Sequence, residues 1–183
     1  MSKAQSEEFY ELRGRDPHVW LEYALSLKYS AEVLRDHLLS RMDVPPGLRR
    51  VETLGLVHST MLLLGLAAEN LIKGVYVAQN PGLVTREKLD RSLWTSDGGH
   101  GIKDFARSLL KLEPEEVELL GRLQEHVVWA GRYPIPTKSS RYHDSEHPQG
   151  MLKFNTIDFQ VAERLFEKLI AELDRARRTH ESA

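Results

Sequence analysis

The sequence predicts an all-α fold, an up-and-down bundle of four to five main helices, and three observations carry that expectation. The stretch Val51–Val77 is apolar on nearly every side and holds no proline. Three further stretches repeat apolar residues at spacings of three and four, the signature of a helix that buries one face. Nowhere do apolar and polar residues alternate as they would along a half-buried strand, and no internal repeat is present.

The central stretch follows Arg49 and Arg50 and is stopped by Asn80, Pro81 and Gly82. A helix of that length is a rod roughly 40 Å long. Its longest uninterrupted apolar run, Met61–Ala68, is far short of the ~20 residues a bilayer needs. His58, Glu69, Asn70 and Lys73 also argue for a protein core rather than lipid. At about 100° per residue, His58, Glu69, Lys73, Tyr76 and Asn80 share one sector with Leu62, Gly55 and Gly65. That line is either an ordinary solvated face with a Glu69–Lys73 ion pair, or the wall of a cleft into which the glycines admit a neighbour.

Ahead of the rod, residues 1–16 read as a charged tail without the apolar segment of a signal peptide, so a cytoplasmic protein is expected. Asp16 then caps a helix whose first residue is Pro17. Trp20, Ala24, Leu27, Ala31, Leu34 and Leu38 give it an apolar stripe to about residue 42. The break at Val44-Pro45-Pro46-Gly47 turns it back as an antiparallel neighbour of the rod. Thr85 can cap a short helix to Leu93. A further helix is expected from about Gly99 to Leu112, and another from Glu113-Pro114 to Gly131 with the stripe Val117, Leu120, Leu123, Val127 and Val128. Residues 132–155 carry three prolines and no period, and a flexible loop is expected over about 135–154. Thr156 caps the last helix, striped by Phe159, Ala162, Phe166, Leu169, Leu173 and Ala176.

The 183 residues fit one domain, 1–183, with an ordered core of about 16–178. Zero cysteines remove disulfides and thiolate chemistry, and a net charge of -2 offers nucleic acid no global attraction. Any such contact must be local. Ser96-Asp97-Gly98-Gly99-His100-Gly101 precedes a helix and is either a turn or an anion cradle with His100 donating. Arg132, beside Trp129 and Tyr133, either satisfies its own helix terminus or offers a planar fork to phosphate. Lys138, Arg141 and His143 make a positive loop. His143 to His147 lies in a proline-bracketed loop and is not read as a metal site, and no cofactor is expected. Arg122 and His126 share a helical face without a third partner and read as surface residues.

Three of these pieces, in this order and spacing, resemble the HEPN family (higher eukaryote and prokaryote nucleotide-binding) of small helical domains. They are the alanine-rich AAENLIK at Ala67–Lys73, His100 in HGIKDF at the start of the next helix, and Arg132-Tyr133-Pro134 at the end of the following one. The match spans about residues 50–136. The resemblance implies a nucleotide- or RNA-binding module, a homodimer, and service in a toxin-antitoxin or defence system beside a nucleotidyltransferase or toxin partner. It brings Glu69, Lys73, His100 and Arg132 to one cleft, with Tyr133 at its rim. Members that cut RNA carry an Arg followed by a His after four to six intervening residues. Here Arg122 and His126 have three between them and Arg132 and His143 have ten. Non-catalytic binding is therefore the leading expectation. The alternatives are a metal-independent ribonuclease using His100 and Arg132, and a pure assembly protein.

Overall fold

The computed structural model describes residues 2–40, 46–90, 95–136, 138–140 and 155–181. These form six helices: α1 (Lys3–Arg15), α2 (Pro17–Ser40), α3 (Pro46–Gln79), α4 (Ile102–Leu109), α5 (Pro114–Glu125) and α6 (Thr156–Glu181). No strand occurs among the described residues, only an isolated bridge between Val84 and Leu89. The expected all-α bundle is what the chain builds.

Asp16 and Pro17 act as anticipated: the Asp16 carboxylate accepts from the His18 backbone N–H at 2.9 Å and α2 begins at Pro17. The supposed N-terminal tail is instead a helix. Ser2 and Gln5 exchange side-chain and backbone bonds in a capping box, which satisfies two end groups. Helix α1 escaped notice because it buries no residue and so has no stripe to read. Helix α3 starts earlier than Val51, with Pro46 as its first residue, and its 34 residues make a rod of about 50 Å. Residues 85–90 do not form the short helix expected there. Thr85 and Lys88 close a tight turn by exchanging hydrogen bonds, after a short 3-10 turn at Pro81–Leu83. Helix α6 begins at Thr156, but the cap is Asn155, whose Oδ1 accepts from the Ile157 N–H at 3.3 Å. Most of the expected flexible loop at 135–154, Arg141 and His143 included, lies outside the described residues.

Long-range pairs fix the helix directions. Trp20 packs on Gly74, so α2 opposes α3; Gly65 packs on Leu123 and Gly131 on Leu62, so α5 opposes α3 as well. Arg122 meets Asp158 while Glu116 meets Lys168, which sets α6 against α5 and alongside α3. Helices α2, α3, α5 and α6 therefore alternate in direction. Helix α4 breaks the alternation: Glu69 meets His100 and Tyr76 meets Ser108, so it runs parallel to α3.

The core forms where α3 is covered. Met61, Leu64, Leu71 and Ile72 meet Leu119, Leu120 and Leu123 of α5 and Leu165, Phe166 and Leu169 of α6, all essentially inaccessible. Helix α2 contributes the small buried residues Ala24 and Ala31. By length and composition α3 is able to cross a membrane, but here its core residues are covered by the other helices.

Two glycines of α3 differ in kind. A Cβ on Gly65 would stand 2.6 Å from the Val127 side chain and 2.9 Å from the Leu123 carbonyl oxygen, whereas one on Gly55 would meet nothing within 4 Å. Gly65→Ala should therefore destabilise by about 2 kcal/mol through overpacking. Gly55→Ala should stabilise by about 0.5–1 kcal/mol through helix propensity. Denaturant midpoints measured side by side check the opposite signs.

Candidate functional site

Glu69 is the centre of the polar line on α3. It is 7% exposed, in a helix otherwise packed with apolar side chains. One oxygen, Oε1, accepts from the Lys73 ammonium one turn on; the other, Oε2, accepts from His100 Nδ1 at 2.8 Å. A buried carboxylate without partners would be costly, and two cationic or polar donors offset that cost. Lys73 and His100 are less buried than Glu69, with side-chain exposures of 16% and 35%. The carboxylate is thus the anchor and the two donors are its outer edge.

His100 reaches Glu69 because of an unusual turn before α4. Asp97, Gly98 and Gly99 all have positive φ, at 50°, 69° and 101°. Glycine adopts such values freely, whereas Asp97 carries a cost of about 1 kcal/mol. Gln124 of α5 offsets it: its Nε2 donates to Asp97 Oδ2 at 2.6 Å and its Oε1 accepts from the Lys103 N–H at 3.1 Å. The backbone N–H groups of His100 and Ile102 turn inward to the carbonyls of Asp97 and His100. The glycine run therefore serves the turn. Farther along, Tyr76 and Ser108 share a hydroxyl hydrogen bond of 2.6 Å, and Tyr76 stands edge-on to Phe105.

Because a carboxylate only accepts, His100 Nδ1 must carry the proton of that bond. This leaves Nε2 for a ligand, as an acceptor when the ring is neutral and a donor when it is protonated. Lys73 supplies a charge already balanced by Glu69. An anion arriving beside Lys73 and a protonated His100 would meet two donors and one buried counter-charge, which can hold a single phosphoryl group.

Arg132 and Tyr133 do not join the other three. The chain after α5 forms a π-helical turn, His126–Ala130, closed by the Gly131 N–H on the His126 carbonyl at 3.0 Å. Gly131 then lies against Leu62, where a Cβ would come within 2.8 Å. Leu62 is seven residues before Glu69, about 10 Å along α3. The guanidinium of Arg132 donates to the Val128 carbonyl and lies 5.4 Å from the centre of the Tyr133 ring. It satisfies the helix end that carries it, and both side chains are exposed. The expected convergence of four residues is thus a convergence of Glu69, Lys73 and His100, with Arg132 and Tyr133 on a separate exposed ledge.

Arg122 and His126 are not surface residues. Arg122 holds Asp158 in a two-bond fork, 2.8 Å and 2.7 Å, that pins the first turn of α6 and keeps the guanidinium pKa above its usual value. His126 is wholly inaccessible; its Nδ1 bonds the Arg122 carbonyl at 2.9 Å and its ring lies 5.3 Å from that of His58. His58 therefore turns to His126 rather than to Glu69. The third partner was Asp158, 36 residues downstream, a distance that helical periodicity cannot span. Among the described residues no group of three or more metal-ligating side chains occurs, and the His143–His147 segment lies outside them. No family model matches the chain, and neither does any characterised protein or solved structure.

Burial is the main cause that lowers the His126 pKa to about 4 from 6.5, with nearby His58 and Arg122 adding to it against the opposing backbone bond. His58 is lowered by burial in the same direction. The unfolded chain takes up a proton as pH falls through 6.5 and the folded chain does not, so stability is lost from about pH 6.5 down to about pH 4. His126 alone contributes a loss of about 3 kcal/mol. Urea titrations across that range should show this slope, and His126→Leu should flatten most of it.

Proposed function

We propose that this chain is a HEPN-like module that binds a nucleotide or RNA phosphate through Lys73 and His100, with Glu69 as their anchor, and does not cleave RNA. The observation that carries this reading is the Glu69 carboxylate, buried between two more accessible donors, Lys73 one turn on and His100 31 residues downstream. A surface ion pair needs neither that burial nor the left-handed turn that delivers His100. Arg132, exposed on the adjacent ledge beside Tyr133, is a second contact for a longer ligand, where ring and guanidinium together suit a base or a phosphate.

Absence of cleavage is supported by the fate of Arg122 and His126, the Arg–His pair carried by α5 and the π-helical turn that follows it. One is locked to Asp158 and the other is inaccessible. Fluorescence anisotropy with labelled single-stranded RNA and with a nucleotide triphosphate tests the proposal. Lys73→Ala and His100→Ala should each weaken binding about tenfold, the effect of losing one charge-assisted hydrogen bond, and wild type should leave RNA intact in chelator. Unchanged affinity in both variants would overturn the site. Chelator-resistant cutting lost in His100→Ala would favour the ribonuclease.

Self-association is a second reading, favoured by Leu25, Tyr29 and Val33, which α2 leaves exposed. Light scattering should then give a mass above the 21.0 kDa of one chain; a constant monomer mass up to high protein concentration would remove it.

A further inference from the structure

Helices α1 and α2 form a splayed hairpin joined at Asp16, and the space between them is a cavity of about 560 Å³. That volume is in the range of small-molecule sites. The hairpin is held open at its closed end. Trp20 Nε1 donates to the Gly14 carbonyl at 2.8 Å, Arg15 Nε donates to the Val84 carbonyl at 2.9 Å, and Gly14 presses on the Val84 side chain. On the far side Trp20 is backed by Gly74, where even a Cβ would approach its side chain to 2.8 Å. One wall is thus a fixed indole rather than a mobile ring.

The rest of the lining is unusual for a surface. Phe9, Tyr10 and Tyr23 join Trp20, and these three rings are 52%, 44% and 60% exposed although they line one hollow. Two polar groups converge with them. Arg13 stands over the Phe9 ring at 5.6 Å, and among the described residues no carboxylate pairs with it. Asn70 of α3 also lines the cavity; its Nδ2 is used by the Leu66 carbonyl at 2.7 Å, which leaves Oδ1 as an acceptor. Glu22 lines the cavity as well and is solvent-exposed, so the site carries one charge of each sign.

We infer that this cavity is a binding site for a small planar aromatic monoanion, an aromatic carboxylic or sulfonic acid whose rings lie among Phe9, Tyr10, Trp20 and Tyr23 and whose head group pairs with Arg13. Stacking supplies the body of the contact, and the guanidinium fork selects an acidic head. Glu22 disfavours a second negative charge, which sets this ligand apart from a nucleotide polyphosphate. Asn70 Oδ1 accepts from an N–H on the ring system. The site is independent of the Glu69 group, which lies on another face of α3.

The test uses anilinonaphthalene sulfonate, an aromatic monoanion with one N–H, titrated into the full chain and followed by dye fluorescence. Phenylnaphthylamine, the same rings without the sulfonate, is the comparison. Saturation at one equivalent is expected, with about tenfold weaker binding in Arg13→Gln, the loss of one charge-assisted bond, and weaker binding in Tyr23→Ala. Lys73→Ala should bind the dye as wild type does, and the uncharged compound should not distinguish Arg13→Gln from wild type. Both cavity substitutions are at exposed positions, and circular dichroism confirms that each variant is folded. Non-saturable binding, equal affinity in Arg13→Gln, or exclusion of the dye as rising protein concentration drives a second copy into the hollow would each overturn the inference.

Discussion

Helix α3 is covered from several sides, and close approach at two glycines is the constraint on which the arrangement depends. A side chain at Gly65 would strike the backbone of α5, and one at Gly74 would strike Trp20 of α2. With glycine at both places the neighbours come closer than any side chain there would allow, the Leu123 backbone at Gly65 and the Trp20 side chain at Gly74. This closeness has a chemical result. Once α5 is drawn against Gly65, Gln124 on the same helix is near enough to grip Asp97, and the turn carrying His100 is set beside Glu69. Apolar packing and the polar group are therefore one assembly, and the precision of the second derives from the tightness of the first.

Much of this was legible because it is local. Asp16 and Pro17 mark a helix start by their own chemistry, and the stripe of α6 is a property of consecutive turns. The Glu69–Lys73 pair follows from four-residue spacing, and the step to His100 needed only that the next helix return to the same face. What was not legible depends on non-local partners or on helices without a stripe. Phe9, Tyr10 and Leu12 on α1 announce no buried face because none exists. The burial of Arg122 depends on Asp158, and that of His126 on His58. Thr85 carries the same capping chemistry whether a helix or a single turn follows, and there a turn follows.

The electrostatics of the two polar groups are opposite in kind. Around Glu69 a buried charge is retained and compensated, so the group can exchange partners at its exposed edge without leaving an isolated ion. Around His126 the charge is disfavoured: burial lowers the pKa of the ring to about 4, and burial lowers that of His58 beside it in the same direction. The neutral His126 ring acts as packing whose one bonded nitrogen is directed at the Arg122 carbonyl. The two groups sit on either side of the Gly65 contact, one suited to recognition and the other to structure.

The π-helical turn at His126–Ala130 can be viewed as a phase shift. A π turn accommodates one residue more than the α-helix it interrupts, so everything beyond it is rotated by about 100° relative to an uninterrupted α5. That rotation points Gly131 at Leu62 and leaves Arg132 outside. A chain one residue shorter here could continue as ordinary helix, but it would present a different side chain to Leu62 and send the Arg-Tyr-Pro segment toward another quarter of the surface. The position of the ledge relative to the Glu69 group is thus encoded in a length, and a single-residue deletion, rather than any substitution, is the change able to re-aim it.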